Sequence, residues 1–232
     1  MDLSTSTAFV TGANRGLGRH FAEQLLARGA TVYGGARNPA SIDLPGVVPV
    51  AIDVTDPASV AAAAAATSGV SLLINNAGSS TGATFLDGSL DDIRLEMETH
   101  YFGTLAVSRA FAPQLATNGG GAILNVLSVL SWTTIPGAGA YSAAKSAEWS
   151  LTNALRIELA RQQTQVSALH VGYMDTDMVR HLDAPKNDPA AVAKLALDAV
   201  EAGEREIVAD DLSRQVRSLL AGGVGALYPR PA

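Results

Sequence analysis

Tyr141 and Lys145 stand four residues apart in the stretch Tyr-Ser-Ala-Ala-Lys. On a helix that spacing places both side chains on one face. An ammonium beside a phenol favours the phenolate and lowers a tyrosine from its reference of about 10. A tyrosine tuned in this way acts as a general acid or base. An exposed Tyr–Lys pair would read the same in so short a pattern, so the rest of the chain must decide. A second stretch, Thr-Gly-Ala-Asn-Arg-Gly-Leu-Gly from Thr11 to Gly18, is rich in glycine. Glycine takes positive φ without steric cost and admits another group close to the backbone. A helix N-terminus offers unpaired N–H groups and partial positive charge. The two together make either a tight turn or a seat for phosphate or pyrophosphate. The spacing is neither Gly-x-Gly-x-x-Gly nor a P-loop, since no Gly-Lys-Ser/Thr follows.

The elements that must position these residues are legible as alternating runs. Apolar runs of strand length begin at Thr7, Thr31, Val47, Val70, Gly121, Gln165 and Arg205. Between them lie helical patterns over 17–28, 57–67, 90–117, 141–161 and 189–202, two of them opened by Asp56-Pro57 and Asp188-Pro189, an N-cap followed by proline. Strands alternating with helices predict a parallel sheet. Continuous hydrophobicity within the strands says that both faces are buried. Right-handed crossovers then give a doubly wound α/β sheet, a Rossmann fold of about seven strands with helices on both faces, in a single domain over 1–232. The alanine run from Ala61 to Ala66 reads as helix packed closely on the sheet. Residues 210–232, ending in a Gly-rich stretch, read as a loosely ordered C-terminal tail. Ligands of such sheets bind beyond the carboxyl ends of the strands. Those ends carry Thr11-Gly12, Ala36-Arg37, Asp53-Val54, Asn75 to Gly78, Ser128 and Gly172, polar or Gly-rich where the strand bodies are apolar.

Bulk properties narrow the class. A formal charge of −6 without a basic block argues against a nucleic-acid surface. The absence of cysteine removes disulfides and thiolate metal sites and fits a reducing compartment. No segment offers the roughly 18 uninterrupted apolar residues of a membrane span, and the N-terminus lacks a basic region followed by an apolar one. The expectation is a cytoplasmic protein with no membrane or nucleic-acid partner. No histidine–carboxylate grouping has metal spacing, so no metal is expected.

Taken in order, these motifs resemble the short-chain dehydrogenase/reductases. The residues that carry the resemblance are Thr11 to Gly18, Asp53-Val54-Thr55-Asp56, Asn75-Asn76-Ala77-Gly78, Ser128 thirteen residues before Tyr141, and Tyr141-x-x-x-Lys145. The resemblance runs from about Thr7 to Asp210. It implies that Gly12, Gly16 and Gly18, with the intervening Asn14, Arg15 and Leu17, line a dinucleotide loop. Asp53 and Val54 would contact adenine, and Asn75, Ala77 and Gly78 would flank the adenosine ribose. Ser128 would polarise a substrate carbonyl and Tyr141 would give it a proton. Lys145 would bind the nicotinamide ribose and tune Tyr141, while Thr176 would hold the carboxamide.

Two places depart from the family pattern. His100, in His-Tyr-Phe-Gly, stands where the family usually has an asparagine that holds a relay water. A histidine either holds the same water or is a core residue bonded to backbone. Val171 precedes Gly172 where the family usually has proline, which changes loop stiffness while Gly172 keeps the turn. Of the other histidines, His20 reads as surface, His170 as core, and His181 as surface or substrate contact.

The end of the second strand selects the dinucleotide. An acid there usually meets the ribose 2′-hydroxyl of NAD, but this chain reads Gly35-Ala36-Arg37. Arg15 and Arg37 together would clamp a 2′-phosphate, and the resemblance reads basic residues at these places as NADP preference. The expected cofactor is therefore NADP(H). The expected substrate wall is Val129, Leu130, Trp132, Ile135, Tyr173, Met174 and Met178, apolar enough for a ketone or aldehyde of moderate size. The resemblance implies a homodimer or homotetramer. The reading is an NADPH-dependent carbonyl reductase; the alternatives are a catalytically poor NADP(H)-binding regulator or redox sensor, and an isomerase or dehydratase using the same Tyr–Lys pair.

Overall fold

The computed structural model of the chain describes residues 1–180 and 182–229, with all their side chains except that of Met178. Their order is β1 (Thr7–Thr11), α1 (Gly16–Ala27), β2 (Thr31–Ala36), β3 (Val47–Ala51), α2 (Pro57–Ala65), β4 (Leu72–Asn75), α3 (Leu90–Met97), α4 (Gly103–Thr117), β5 (Gly121–Val126), α5 (Gly139–Glu158), β6 (Thr164–His170), α6 (Pro189–Glu201), β7 (Glu206–Val208), α7 (Asp211–Leu219) and α8 (Gly223–Leu227). The strands form one seven-stranded sheet in the order β3-β2-β1-β4-β5-β6-β7. Every pairing is parallel. The order reverses between β1 and β4, which opens a crevice at their carboxyl ends, the switch point of a doubly wound sheet.

Both faces of the sheet are covered, as the continuous apolar strands require. Phe9 and Val10 alternate across β1 into two separate cores. Val10 joins Phe21 and Leu25 of α1 and Leu197 of α6. Phe9 joins Val60 of α2, Phe111 of α4 and Leu155 of α5, and its ring lies 4.6 Å from that of Phe111. Burying each such ring contributes roughly 1.5–3 kcal/mol. Asp56 and Asp188 cap α2 and α6 through the backbone N–H groups of Ala58 and Ala190.

Two elements differ from the sequence reading. The helix expected over 90–117 is interrupted by one π turn, Glu98–Phe102, which joins α3 to α4 and carries His100. Such bulges are concentrated at functional sites. The stretch read as a tail is helical over α7, because the Asp210 side chain caps it by accepting from Ser213 N at 2.7 Å. Farther on, the Tyr228 hydroxyl accepts from Thr134 N at 2.9 Å, which ties the segment after α8 to the loop after β5. Among the described residues no helix is long and apolar enough to cross a membrane.

Candidate active site

The crevice is a cavity of about 680 Å³. Its floor is the turn from β1 into α1. Gly12 and Gly16 have φ of +68° and +54°, the left-handed region that suits glycine. Gly18 does not line the cavity; a Cβ there would stand 2.2 Å from the Gly12 carbonyl oxygen, so this glycine lets α1 pack onto the loop. Arg15, the residue before α1, makes no side-chain cap, which leaves the first N–H groups of the helix facing the cavity for an anion. Asn14, Arg15, Gly16 and Leu17 line the crevice on this side, and Arg37, Asp53 and Val54 line it from the ends of β2 and β3. The Arg15 guanidinium is largely exposed and lies 3.7 Å from Asp177. The Thr55 hydroxyl and backbone N–H donate to Asp53 and hold its carboxyl below the usual range.

After β4 the chain turns through Asn75 to Gly78. Asn75 points away from the crevice, because its amide donates to Ser108 Oγ at 3.1 Å and to Asn125 Oδ1 at 2.8 Å within the core. Asn76, Ala77 and Gly78 line the cavity instead. Thr11 anchors this turn: its hydroxyl oxygen accepts from the N–H groups of Asn76 and Ala77, both at 2.9 Å. The roles of Thr11 and Asn76 escaped the sequence reading, although both sit inside its motifs.

The opposite wall carries the groups of the expected chemistry. Ser128 follows β5 and its Oγ accepts from Leu130 N at 3.1 Å, which leaves the hydroxyl proton free for another acceptor. Tyr141 and Lys145 share one face at the start of α5, with the ammonium 5.8 Å from the centre of the phenol ring. Lys145 Nζ donates to the Val126 carbonyl and to Glu148 Oε2, each at 2.8 Å. Burial works against the Lys145 charge, but the Glu148 carboxylate outweighs it and the ammonium is held above its ordinary range. The direction at Tyr141 corrects the expectation from spacing alone. Burial pushes the phenol up and outweighs the lowering by Lys145 and Ser128.

His100 is buried in the π turn, its ring edge-on to Tyr141 with centres 5.2 Å apart. Nε2 lies 2.9 Å from the Ser79 carbonyl oxygen and 3.2 Å from Glu96 Oε2. Two acceptors at Nε2 assign the proton there and leave a lone pair on Nδ1. Nδ1 is buried without a protein partner, and the residue lines the crevice. Glu96 is itself fully buried. Burial raises its carboxyl, yet hydrogen bonds from His100 and Thr81 hold it below the usual range.

The substrate wall differs from the expected set. Met174 lines the cavity, together with Val126, Leu127 and Val171. Val129, Leu130 and Trp132 are buried in the core instead. Trp132 stacks on His170, 3.8 Å between ring centres, and His170 Nδ1 lies 2.9 Å from Ser131 Oγ. Burial pushes the His170 imidazole down to about 3. Ile135 is exposed, and Tyr173 is half-buried without lining the cavity. The Met178 side chain and His181 lie outside the described residues. His20, read as surface, is half-buried and pairs with Glu23. Gly172 and Thr176 line the crevice on the β6 side. The valine in place of proline is offset by Asp210, whose Oδ2 accepts from Gly172 N at 2.6 Å and from Asn187 Nδ2 at 2.9 Å.

A doubly wound parallel sheet whose switch point joins a glycine turn to a Ser–Tyr–Lys wall defines a dinucleotide-dependent oxidoreductase. The chain belongs to the short-chain dehydrogenase/reductase family: residues 6–187 match the family model described as short chain dehydrogenase. It is 33% identical over 193 residues to the mouse dehydrogenase/reductase SDR family member 7B, covering 76% of this chain and 60% of that protein, so it spans about three fifths of that relative's length. It is 30% identical over 201 residues to carbonyl reductase (NADPH) 2 of Sus scrofa, covering 84% of this chain and 81% of the other. A short chain dehydrogenase from Burkholderia cenocepacia J2315, solved in complex with NADP, superposes with a TM-score of 0.94 at 38% identity over the whole of both chains.

Proposed function

We propose that this oxidoreductase uses NADPH to reduce the carbonyl of a small apolar ketone or aldehyde to an alcohol, and catalyses the reverse oxidation. The observation that carries this reading is the convergence of Ser128, Tyr141 and Lys145 on a crevice whose far wall is the glycine turn with Arg15 and Arg37. The positive-φ glycines and the free N–H groups of α1 fit a pyrophosphate. Arg15 and Arg37, with no acid at the end of β2, fit the 2′-phosphate of NADP. NADPH held by the glycine turn, Arg15 and Arg37 would supply the hydride for this reduction.

The chain's own residues bind, orient and move the proton. Ser128 directs its free hydroxyl proton at the carbonyl oxygen and draws charge onto it. Tyr141, held as the neutral phenol, donates its proton to the same oxygen as charge develops there. Lys145 keeps one N–H beyond those given to Val126 and Glu148, for a ribose hydroxyl or the phenol oxygen. His100 Nδ1 accepts from a water that restores the Tyr141 proton. Thr176 and Gly172 seat the carboxamide side. Val126, Leu127, Val171 and Met174 support an apolar substrate. Exposed Phe102 beside α4 and Ile157 on α5 support assembly into a homodimer or homotetramer.

The test is loss of NADPH absorbance with a panel of apolar ketones and aldehydes, repeated with NADH. The reading expects turnover with NADPH and a much weaker affinity for NADH. No turnover across the panel, or equal affinity for the two cofactors, contradicts it.

A further inference from the structure

A buried carboxylate beside the site takes no part in the reaction above. Glu96, on α3, is fully buried and does not line the crevice. Its Oε1 accepts from the Thr81 N–H. Its Oε2 accepts from Ser79 Oγ at 3.3 Å and faces His100 Nε2 at 3.2 Å. A buried carboxylate is unfavourable unless paired and hydrogen-bonded, and an apolar side chain would fill the position without that demand. The imidazole it meets is held in place. A Cβ on Gly78 would stand 2.9 Å from His100 Cε1, so the ring fills the space that this glycine leaves. On another side Tyr141 packs edge-on, 5.2 Å between ring centres. A neutral imidazole carries one ring proton, and the nitrogen that holds it donates while the other accepts. Nε2 faces the Glu96 carboxylate and, at 2.9 Å, the Ser79 carbonyl oxygen. The Ser79 N–H, a donor, is farther from Nε2 at 3.4 Å. Nδ1 is buried without a protein partner, on a residue that lines the crevice.

We propose that Glu96 is a positioning residue that holds the ring proton of His100 on Nε2, so that Nδ1 keeps the lone pair with which it holds the relay water. The proposal rests on the reading of His100 as the residue that holds that water. A water on Nδ1 gives one hydrogen to the lone pair and keeps its other hydrogen and its own lone pairs for the path to Tyr141. With the proton on Nδ1 the imidazole would donate instead, and a lone pair of the water would be turned away from that path. Ser79 does not secure the tautomer, because its backbone offers Nε2 both an acceptor and a donor. An ionised carboxylate only accepts, and it decides between them. Glu96 also ties down the loop at Ser79 and Thr81; a residue that did this alone would support stability and leave the tautomer unset.

The test reads the tautomer directly. In cofactor-free protein carrying nitrogen-labelled histidine, long-range proton–nitrogen correlation spectra distinguish a protonated ring nitrogen from a bare one. The chain has four histidines, and the signals that vanish in His100→Asn are those of His100. The wild type is expected to show Nε2 protonated and Nδ1 bare. In Glu96→Gln the amide oxygen stays with the Thr81 N–H and the amide NH2 turns toward Nε2, where two donors oppose each other. The preference for a proton on Nε2 then weakens or reverses. Turnover falls by about 10- to 100-fold, the lower range for a positioned proton-transfer group, while NADPH affinity stays within about twofold. In a His100→Asn background the loss in kcat on Glu96→Gln is at least about fivefold smaller, because asparagine has no tautomer to set. A Glu96 that only held the loop would cost the same in both backgrounds. If Glu96→Gln lacks a native near-ultraviolet dichroism spectrum, Glu96→Asp, which keeps the charge but withdraws it from Nε2, carries the comparison. A wild type with the proton on Nδ1, or a folded Glu96 variant with an unaltered tautomer, overturns the proposal. The spectra need no turnover. A His100→Leu enzyme with wild-type kcat would therefore end the relay reading, while the tautomer assignment would be decided separately.

Discussion

The Asp210 carboxylate accepts a hydrogen bond from the Gly172 N–H at 2.6 Å. A residue beyond β7 thereby holds the turn after β6, where proline would have supplied stiffness through its fixed φ. The same side chain caps α7 through Ser213 N. Asp210→Ala removes both contacts. The expected result is a destabilisation of about 1.5–3 kcal/mol, the scale of charge-assisted hydrogen bonds, together with a raised KM for NADPH. Thermal melts and steady-state kinetics on one preparation measure both. An unchanged KM would remove Asp210 from any part in shaping the site.

Arg37 stands where an acid would meet the 2′-hydroxyl of NAD. Arg37→Ala is expected to weaken NADPH binding by about 10- to 100-fold, the equivalent of about 1.5–3 kcal/mol, and to leave NADH nearly unchanged. Arg15→Ala acts in the same direction, and its effect shrinks as salt rises because its guanidinium is exposed. Fluorescence titration of both cofactors checks the claim. An equal loss for NADPH and NADH would contradict it.

His170 makes the fold sensitive to acid. Its pKa is lowered from 6.5 to about 3 by burial. The unfolded chain therefore binds a proton that the folded chain refuses. The resulting stability is present above about pH 6.5 and is lost as pH falls toward about 3, at roughly 1.4 kcal/mol for each unit of separation. His170→Phe keeps an aromatic ring beside Trp132 and removes the titrating group. Its melting temperature should fall less steeply than that of the wild type over this window. Parallel slopes would show that acid acts elsewhere.

His100 is tested by its lone pair. His100→Asn supplies an amide that can hold the relay water and is expected to remain active. His100→Leu is expected to lose kcat while still binding NADPH, because the glycine turn and Arg37 are untouched. A purely structural His100 would lower the melting temperature of His100→Leu and leave turnover per folded molecule unchanged. Measuring kcat, melting temperature and NADPH affinity on the same samples separates the two.

The strands, their parallel order and the helices on both faces were legible because continuous apolar runs alternate with helical patterns along the whole sheet. The glycine turn and the Tyr–Lys pair were legible only together: each spacing is ambiguous alone, and the alternating strands with Ser128 decide between the readings. What escaped depends on packing between distant segments. Trp132 reads as a pocket aromatic until His170 is seen stacked on it from β6. Asn75 belongs to a site motif, yet Asn125 and Ser108 draw its side chain into the core. Glu96 and Glu148 stand outside every sequence motif, and only the meeting of α3, α4 and α5 buries them. The sign of the Tyr141 shift eluded spacing for the same cause, since Lys145 is visible in sequence and burial is not. Helix α7 was missed because Asp210 was read with the Gly-rich tail, and its capping of Ser213 N appears only in the fold.

The most direct test of the account is Tyr141→Phe, which removes the phenolic proton and keeps the ring. With an active carbonyl substrate, kcat is expected to fall by at least about 100-fold, the usual scale for loss of a general acid, while NADPH affinity stays within about twofold. Turnover close to that of the wild type in a folded, NADPH-binding Tyr141→Phe variant would contradict the assignment of Tyr141 as the proton donor and the mechanism built on it.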